Sequence, residues 1–105
     1  METANKELLI KQKHEKDKLI CTLSGWLDPN TSPKLIEQID LAEIKELVFD
    51  MKDVEYVFSA GLRAFMIFQR IMDAQNGSIK LINTSDQVRS IFEYTGFESL
   101  LEPKK

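Results

Sequence analysis

Cysteine is nearly absent: Cys21 is the only one among 105 residues. That excludes an internal disulfide framework and suits a reducing, cytoplasmic setting. Histidine is equally scarce. The one copy, His14, falls in a polar turn, with no spacing that would make it a base for a serine nucleophile, so no enzyme is expected. Glycine occurs four times, at Gly25, Gly61, Gly77 and Gly96, in four separate junctions, which leaves no glycine-rich loop to cradle a phosphate. No apolar run approaches the ~20 residues of a membrane span, so no membrane insertion is expected. Residues 1–6 are polar and lead straight into a strand pattern, unlike a signal peptide. A basic excess is missing too: the net charge is −3, which argues against a nucleic-acid binder. Repeats, low-complexity tracts and internal linkers are also lacking, and the length is that of one domain spanning 1–105.

What is present alternates between short apolar runs and amphipathic stretches. Leu8-Leu9-Ile10, continuing through Lys11-Gln12-Lys13, reads as a strand, and so does Leu19-Ile20-Cys21-Thr22-Leu23. A polar turn at 14–17 makes them an antiparallel hairpin. Gly25 and Asp28-Pro29-Asn30 mark a loop. Ser32-Pro33 opens a helix, with serine as N-cap, proline at the first helical position, and Leu35, Ile36 and Ile39 as its apolar stripe. Leu47-Val48-Phe49 is apolar throughout, as in a strand buried on both faces of a parallel sheet. A loop then leads to Ser59, an N-cap type, and 60–75 carry a helical pattern with no internal proline.

Asn76-Gly77 ends that helix and 78–82 form a fourth strand. Thr84 with Gln87 fits a capping box for a last helix, which bears Val88, Ile91 and Phe92 and is closed by Gly96. Phe97, Leu100 and Leu101 cover the remaining apolar gap before the polar stretch 102–105. The order β-β-α-β-α-β-α predicts an α/β fold, a small four-stranded mixed sheet with helices packed on it. Sites in such sheets form beyond the carboxyl ends of parallel strands. The loops at 25–30 and 50–59 would converge there, with Gly25, Asp50 and Asp53 supporting the position of Ser59.

Placing 60–75 at about 100° per residue separates two faces. Ala64, Phe65, Ile67, Phe68, Ile71 and Met72 share the core side, while Arg63, Gln69, Arg70 and Asp73 lie opposite, together with Leu62 and Met66. Ser59 falls in line with Arg63, Met66 and Arg70. Two arginines, apolar side chains and a modifiable hydroxyl on one edge predict a docking surface, because Met and Arg are enriched in interfaces.

The run Ser59-Ala60-Gly61-Leu62, after a strand ending in Asp50 and the pair Tyr56-Val57, resembles the signature of the STAS family, which includes the anti-sigma-factor antagonists of bacteria. Leu23-Ser24-Gly25-Trp26-Leu27-Asp28 upstream, and Gly77 and Thr95-Gly96 downstream, extend the resemblance over nearly the whole chain. It implies the STAS fold, and it puts Ser59 in the place of the serine that a partner kinase phosphorylates. Where the family usually carries Asp before that serine, this chain has Phe58.

The function implied is that of an anti-sigma-factor antagonist. Its surface would comprise Asp28, Phe58, Ser59, Ala60, Gly61, Leu62, Arg63, Met66 and Arg70, and would bind an anti-sigma factor that is also a serine kinase. Phosphorylation of Ser59 would reverse binding and a phosphatase would restore it. The alternatives are a constitutive STAS adaptor, such as the small subunit of a lipid-transport ABC complex, which Phe58 favours, and a STAS module holding a nucleotide or lipid. No metal or other cofactor is expected, since Asp28, Asp50 and Asp53 read as caps and turn formers.

Overall fold

The computed structural model describes residues 7–101; the polar segments at 1–6 and 102–105 lie outside them. The hairpin pairs β1 (Leu8–Glu15) with β2 (Lys18–Leu27) antiparallel. Glu15 faces Lys18, so the turn is only Lys16-Asp17 and His14 belongs to the strand. Lys16 takes a positive φ of 58°, as a two-residue hairpin turn requires. Along β2 the alternation is regular: Leu19, Cys21 and Leu23 are fully buried, and the residues between them are half-buried.

The first helix, α1 (Ser32–Gln38), begins one residue away from the expected cap. Thr31 holds the N-cap position, and Ser32 and Pro33 open the first turn. The third strand departs further from expectation. Instead of ending at Asp50, β3 runs from Glu46 to Val57, and the anticipated loop after Asp50 is strand. It lies parallel to β2 from Lys18↔Glu46 to Leu27↔Val57. Two register shifts occur on the way, between Thr22 and Ser24 and between Gly25 and Trp26. Each gives β3 one residue more than β2, and each resets which face a side chain meets. The buried residues therefore change spacing from Leu47, Phe49 and Met51 to Val54 and Val57, a pattern without strand periodicity.

The chain continues through α2 (Ser59–Ala74), β4 (Ser78–Ile82), α3 (Asp86–Thr95) and a short 3-10 turn (Glu98–Leu100). The sheet order is β1-β2-β3-β4, with β4 parallel to β3. This is the expected mixed four-stranded α/β sheet with three helices. Asn76, not Gly77, takes the left-handed conformation after α2, whereas Gly96 closes α3 at φ 87° as anticipated. The cap of α3 is Ser85 rather than Thr84: its hydroxyl accepts the Val88 N–H at 3.2 Å.

The helices pack on the face that carries Leu19, Cys21, Leu47, Phe49 and Leu81. Phe49 sits at the centre, with ring centroids 5.1 Å from Phe65 and 5.3 Å from Phe68, and Phe65 lies 5.8 Å from Phe92. Burying each such ring contributes ~1.5–3 kcal/mol relative to leaving it exposed. The buried arc of α2 is rotated from the one its sequence pattern predicts. Leu62 is only 8% exposed, while Ile71, expected in the core, is 38% exposed. The cause lies outside the helix. Leu62 belongs to the core cluster and lines a groove together with Val57 and Ile91 of α3, neighbours that the pattern of α2 alone does not reveal.

Candidate functional site

The β3–α2 junction has no loop. After Leu27↔Val57 the ladder adds one more bond, Phe58 N–H to Leu27 O at 2.8 Å. Phe58 remains extended (φ −87°, ψ 175°) and becomes the N-cap, so Ser59 is the first residue of the helix rather than its cap. Phe58 O accepts the Gly61 and Leu62 amides at 2.9 and 3.1 Å. The Ser59 and Ala60 amides, as at any helix start, have no intrahelical acceptor. Gly61 is required by proximity: a Cβ there would lie 2.8 Å from Leu27 Cβ and 2.9 Å from Val57 Cγ1. The first turn of α2 is thereby pressed against the ends of both parallel strands.

Ser59 is exposed, and among the described residues its hydroxyl has no hydrogen-bond partner. His14 lies far down β1, opposite Leu19, so no imidazole reaches the serine. The oxygen is thus free to be modified, and a dianion placed on it would meet the positive end of the α2 dipole.

Of the other residues singled out from sequence, Ala60, Arg63, Met66 and Arg70 follow Ser59 along α2. Arg63 and Arg70 are exposed and form no ion pair among the described residues. Met66 is half-buried; Leu62 is buried and offers little outward surface. The expected apolar contribution of Leu62 to an exposed edge is therefore corrected. Asp28 is half-buried and occupied locally: Oδ1 accepts the Asn30 and Thr31 amides, both at 2.9 Å. Thr31 Oγ1 in turn donates to Trp26 O at 2.7 Å, which ties the β2–α1 connection down beside the junction.

Asp50 and Asp53 do not support the site as anticipated. Asp50 pairs with Thr22 and Ile82 in mid-sheet, and its Oδ1 accepts from Lys52 N and Asn83 Nδ2, each at 3.1 Å. Asp53 faces Ser24. At ~3.3 Å of rise per residue, both lie well back along β3 from Ser59. Gly25 has a different role from a loop glycine. It sits at φ 115° beside the second register shift, and a Cβ there would fall 2.0 Å from Glu7 O.

Two features of the surface were not foreseen. The first is a groove of about 540 Å³ beside Ser59, walled by Tyr56, Phe58 and Leu62 on one side and by Ile91, Tyr94 and Thr95 of α3 on the other. Tyr94 is 94% exposed. The one available sign in the sequence is that Tyr94 falls off the Val88–Phe92 stripe of its helix. The second is a cluster of three aromatic rings, Trp26, Tyr56 and Phe58, at the ends of β2 and β3. Phe58 stacks on Trp26 with centroids 5.8 Å apart. The side chain in the place of the family's acid is thus part of an aromatic surface.

With this geometry in hand, comparison with known proteins places the chain. The STAS domain family model matches residues 9–105, and the chain belongs to the STAS domain family. It is 30% identical over 92 residues to the anti-sigma-B factor antagonist of Bacillus subtilis (strain 168), spanning 86% of this chain and 84% of that protein. It is 28% identical over 96 residues to the anti-sigma-B factor antagonist of Listeria monocytogenes, spanning 89% and 84%. The solved structure of the anti-sigma factor antagonist SpoIIAA in its unphosphorylated form shares the fold, with a TM-score of 0.81 at 18% identity over 92% of this chain and 89% of that one.

Proposed function

We propose that this chain is an anti-sigma-factor antagonist, a single-domain, non-enzymatic cytoplasmic regulator that docks on an anti-sigma factor through the surface around Ser59. The observation that carries the reading is the exposed, unbonded Ser59 hydroxyl at the start of α2, beside an apolar groove. The relatives named anti-sigma-B factor antagonists, matched over most of their length, support it. In this reading the anti-sigma factor is also a kinase that phosphorylates Ser59, and a phosphatase reverses the modification. The physical cause of switching is local. A phosphate adds about −1.5 to −2 charge, and enclosing that charge in a partly apolar interface costs free energy unless a cation meets it. A loss of about 1.4 kcal/mol already weakens binding tenfold, so no refolding is needed.

A second reading is favoured by Phe58. A constitutive adaptor would use the aromatic surface at all times, and Ser59 would merely begin a helix. Affinity capture from native lysate with wild-type, Ser59→Ala and Ser59→Asp baits separates the two. The switch predicts that an anti-sigma factor is retained by wild type and Ser59→Ala and lost by Ser59→Asp. It also predicts that the captured factor, given ATP, phosphorylates Ser59, as read by mass spectrometry. Equal retention by all three baits would refute the switch and leave the adaptor.

A further inference from the structure

The second register shift in β3 leaves Glu55 with no partner on β2: Gly25 faces Val54 and Trp26 faces Tyr56. An extra residue of this kind re-aims its side chain, and here the carboxylate is turned toward Trp26. Glu55 Oε1 accepts the indole Nε1–H at 2.9 Å. Glu55 is exposed and forms no ion pair among the described residues. Around it the rings are closely set: Tyr56–Phe58 centroids are 4.7 Å apart and edge-on, and Trp26–Tyr56 centroids are 6.3 Å apart. Tyr56 and Phe58 are each 36% exposed. Together with Gln87 of α3, these residues line a notch of about 500 Å³.

The chemistry of the lining is one-sided. It offers aromatic faces, which carry negative potential, one carboxylate and one amide, and among the described lining residues none is cationic. The indole N–H fixes one carboxylate oxygen and leaves the other able to accept. A planar guanidinium fits this set best, because it stacks on an aromatic face while its fork of N–H groups reaches a carboxylate and an amide oxygen. An ammonium, compact and strongly hydrated, uses the ring faces less well. The net charge of −3 draws in cations over longer range.

We propose that the notch formed by Glu55, Trp26, Tyr56, Phe58 and Gln87 takes the guanidinium of an arginine side chain on the protein partner. The source of that arginine rests on the docking reading above; guanidinium binding by the notch does not. The notch would give the partner a fixed anchor beside the Ser59 groove.

Trp26 is the only tryptophan, so its emission reports on the site directly. The isolated protein is titrated with acetyl-arginine amide, and in parallel with its neutral citrulline counterpart, the lysine counterpart and tetramethylammonium. The expected result is a saturable emission change with the arginine compound at millimolar concentration, none with citrulline, and weaker binding of lysine. Glu55→Gln keeps an acceptor for the indole N–H, so it tests charge without removing that bond; it should weaken arginine binding about fivefold or more. Phe58→Leu should weaken it also.

An equal response to citrulline, or no saturable change with arginine up to roughly 0.1 M, would overturn the site. So would tetramethylammonium binding as tight as arginine and indifferent to Glu55→Gln. A Glu55→Gln bait that has lost arginine binding yet retains the partner at wild-type affinity would overturn the partner assignment. If arginine binds but no anti-sigma factor is captured, the docking reading fails while the guanidinium site stands.

Discussion

Replacing Gly61 with alanine sets two effects of opposite sign against each other. Gly61 lies in the first turn of α2 with ordinary helical φ. On helix propensity and unfolded-state entropy alone, alanine should therefore stabilise by ~0.5–1 kcal/mol. Packing opposes this. The added Cβ would sit 2.8 Å from Leu27 Cβ, 2.9 Å from Val57 Cγ1 and 3.2 Å from Leu27 O, where carbon pairs normally keep 3.5–4.0 Å. Two of the three neighbours are a backbone oxygen and a Cβ, neither of which can swing aside. Overpacking of this type costs ~1–3 kcal/mol, so a net loss of about 1–2 kcal/mol is expected. In a domain of this size that lowers Tm by roughly 4–15 °C. Urea denaturation should show a lower midpoint with an unchanged slope. Adding Val57→Ala removes one of the three contacts, so the double variant should be more stable than the sum of the single changes predicts, by ~0.5 kcal/mol or more. A Gly61→Ala protein as stable as wild type would refute the close approach, and with it the account of how Ser59 is held at the strand ends.

Two further outcomes follow from the same geometry. Ser85→Ala should destabilise by ~1 kcal/mol in urea denaturation and Thr84→Ala by much less, because Ser85 caps α3; the reverse ranking would restore the Thr84 capping box. Burial pushes the Cys21 thiol up from its ordinary 9.0 to about 12. An unfolded thiol ionises near the ordinary value, so between pH 9 and 12 the unfolded state sheds a proton that the folded state keeps. The stabilisation is complete below that window and falls as pH rises through it, by about 1.4 kcal/mol per pH unit. Whatever stability advantage wild type has over Cys21→Ala at pH 8 should therefore shrink at that slope above pH 9, as read by urea denaturation; a constant gap would refute the assignment.

Element order, the mixed sheet and the helix positions were legible because Leu19, Cys21 and Leu23, and the stripes of 60–75 and 86–95, keep the periods of their elements. The second half of β3 was not. Its two register shifts put Met51, Val54 and Val57 three residues apart, a spacing that fits no strand. The misplaced cap has the same origin: the ladder bond from Phe58 N–H to Leu27 O prolongs the strand by one residue and moves the helix start to Ser59. Ser59 and its neighbours were nameable from a local motif. The groove wall of α3 and the Trp26–Glu55 bond were not, since they join residues far apart in sequence. The outward placing of Leu62 failed for that reason as well.

The proposed switch and the proposed arginine anchor share one surface, and magnitudes decide which of them sets the direction of regulation. Glu55 and Ser59 are four residues apart along nearly extended chain, roughly 10 Å or more. A phosphate on Ser59 would attract an arginine seated at Glu55, but at ~10 Å in water each charge pair is worth only about 0.4 kcal/mol. That distance is also about a Debye length at 0.1 M salt, which reduces the attraction further. Enclosing the same phosphate in the groove between Phe58 and Tyr94 removes water from a dianion, a penalty of several kcal/mol if no cation meets it. On these magnitudes the proposed switch works through the groove, and the proposed anchor acts nearly independently of it. Glu55→Gln should lower partner affinity by a similar factor in the wild-type and Ser59→Asp backgrounds, leaving the ratio between the two backgrounds within about twofold. Calorimetry on the four proteins with the captured partner measures this. If Glu55→Gln abolished the difference between wild type and Ser59→Asp, the charge at Glu55 would itself be the element that phosphorylation reads, and the separation of anchor from switch would be wrong.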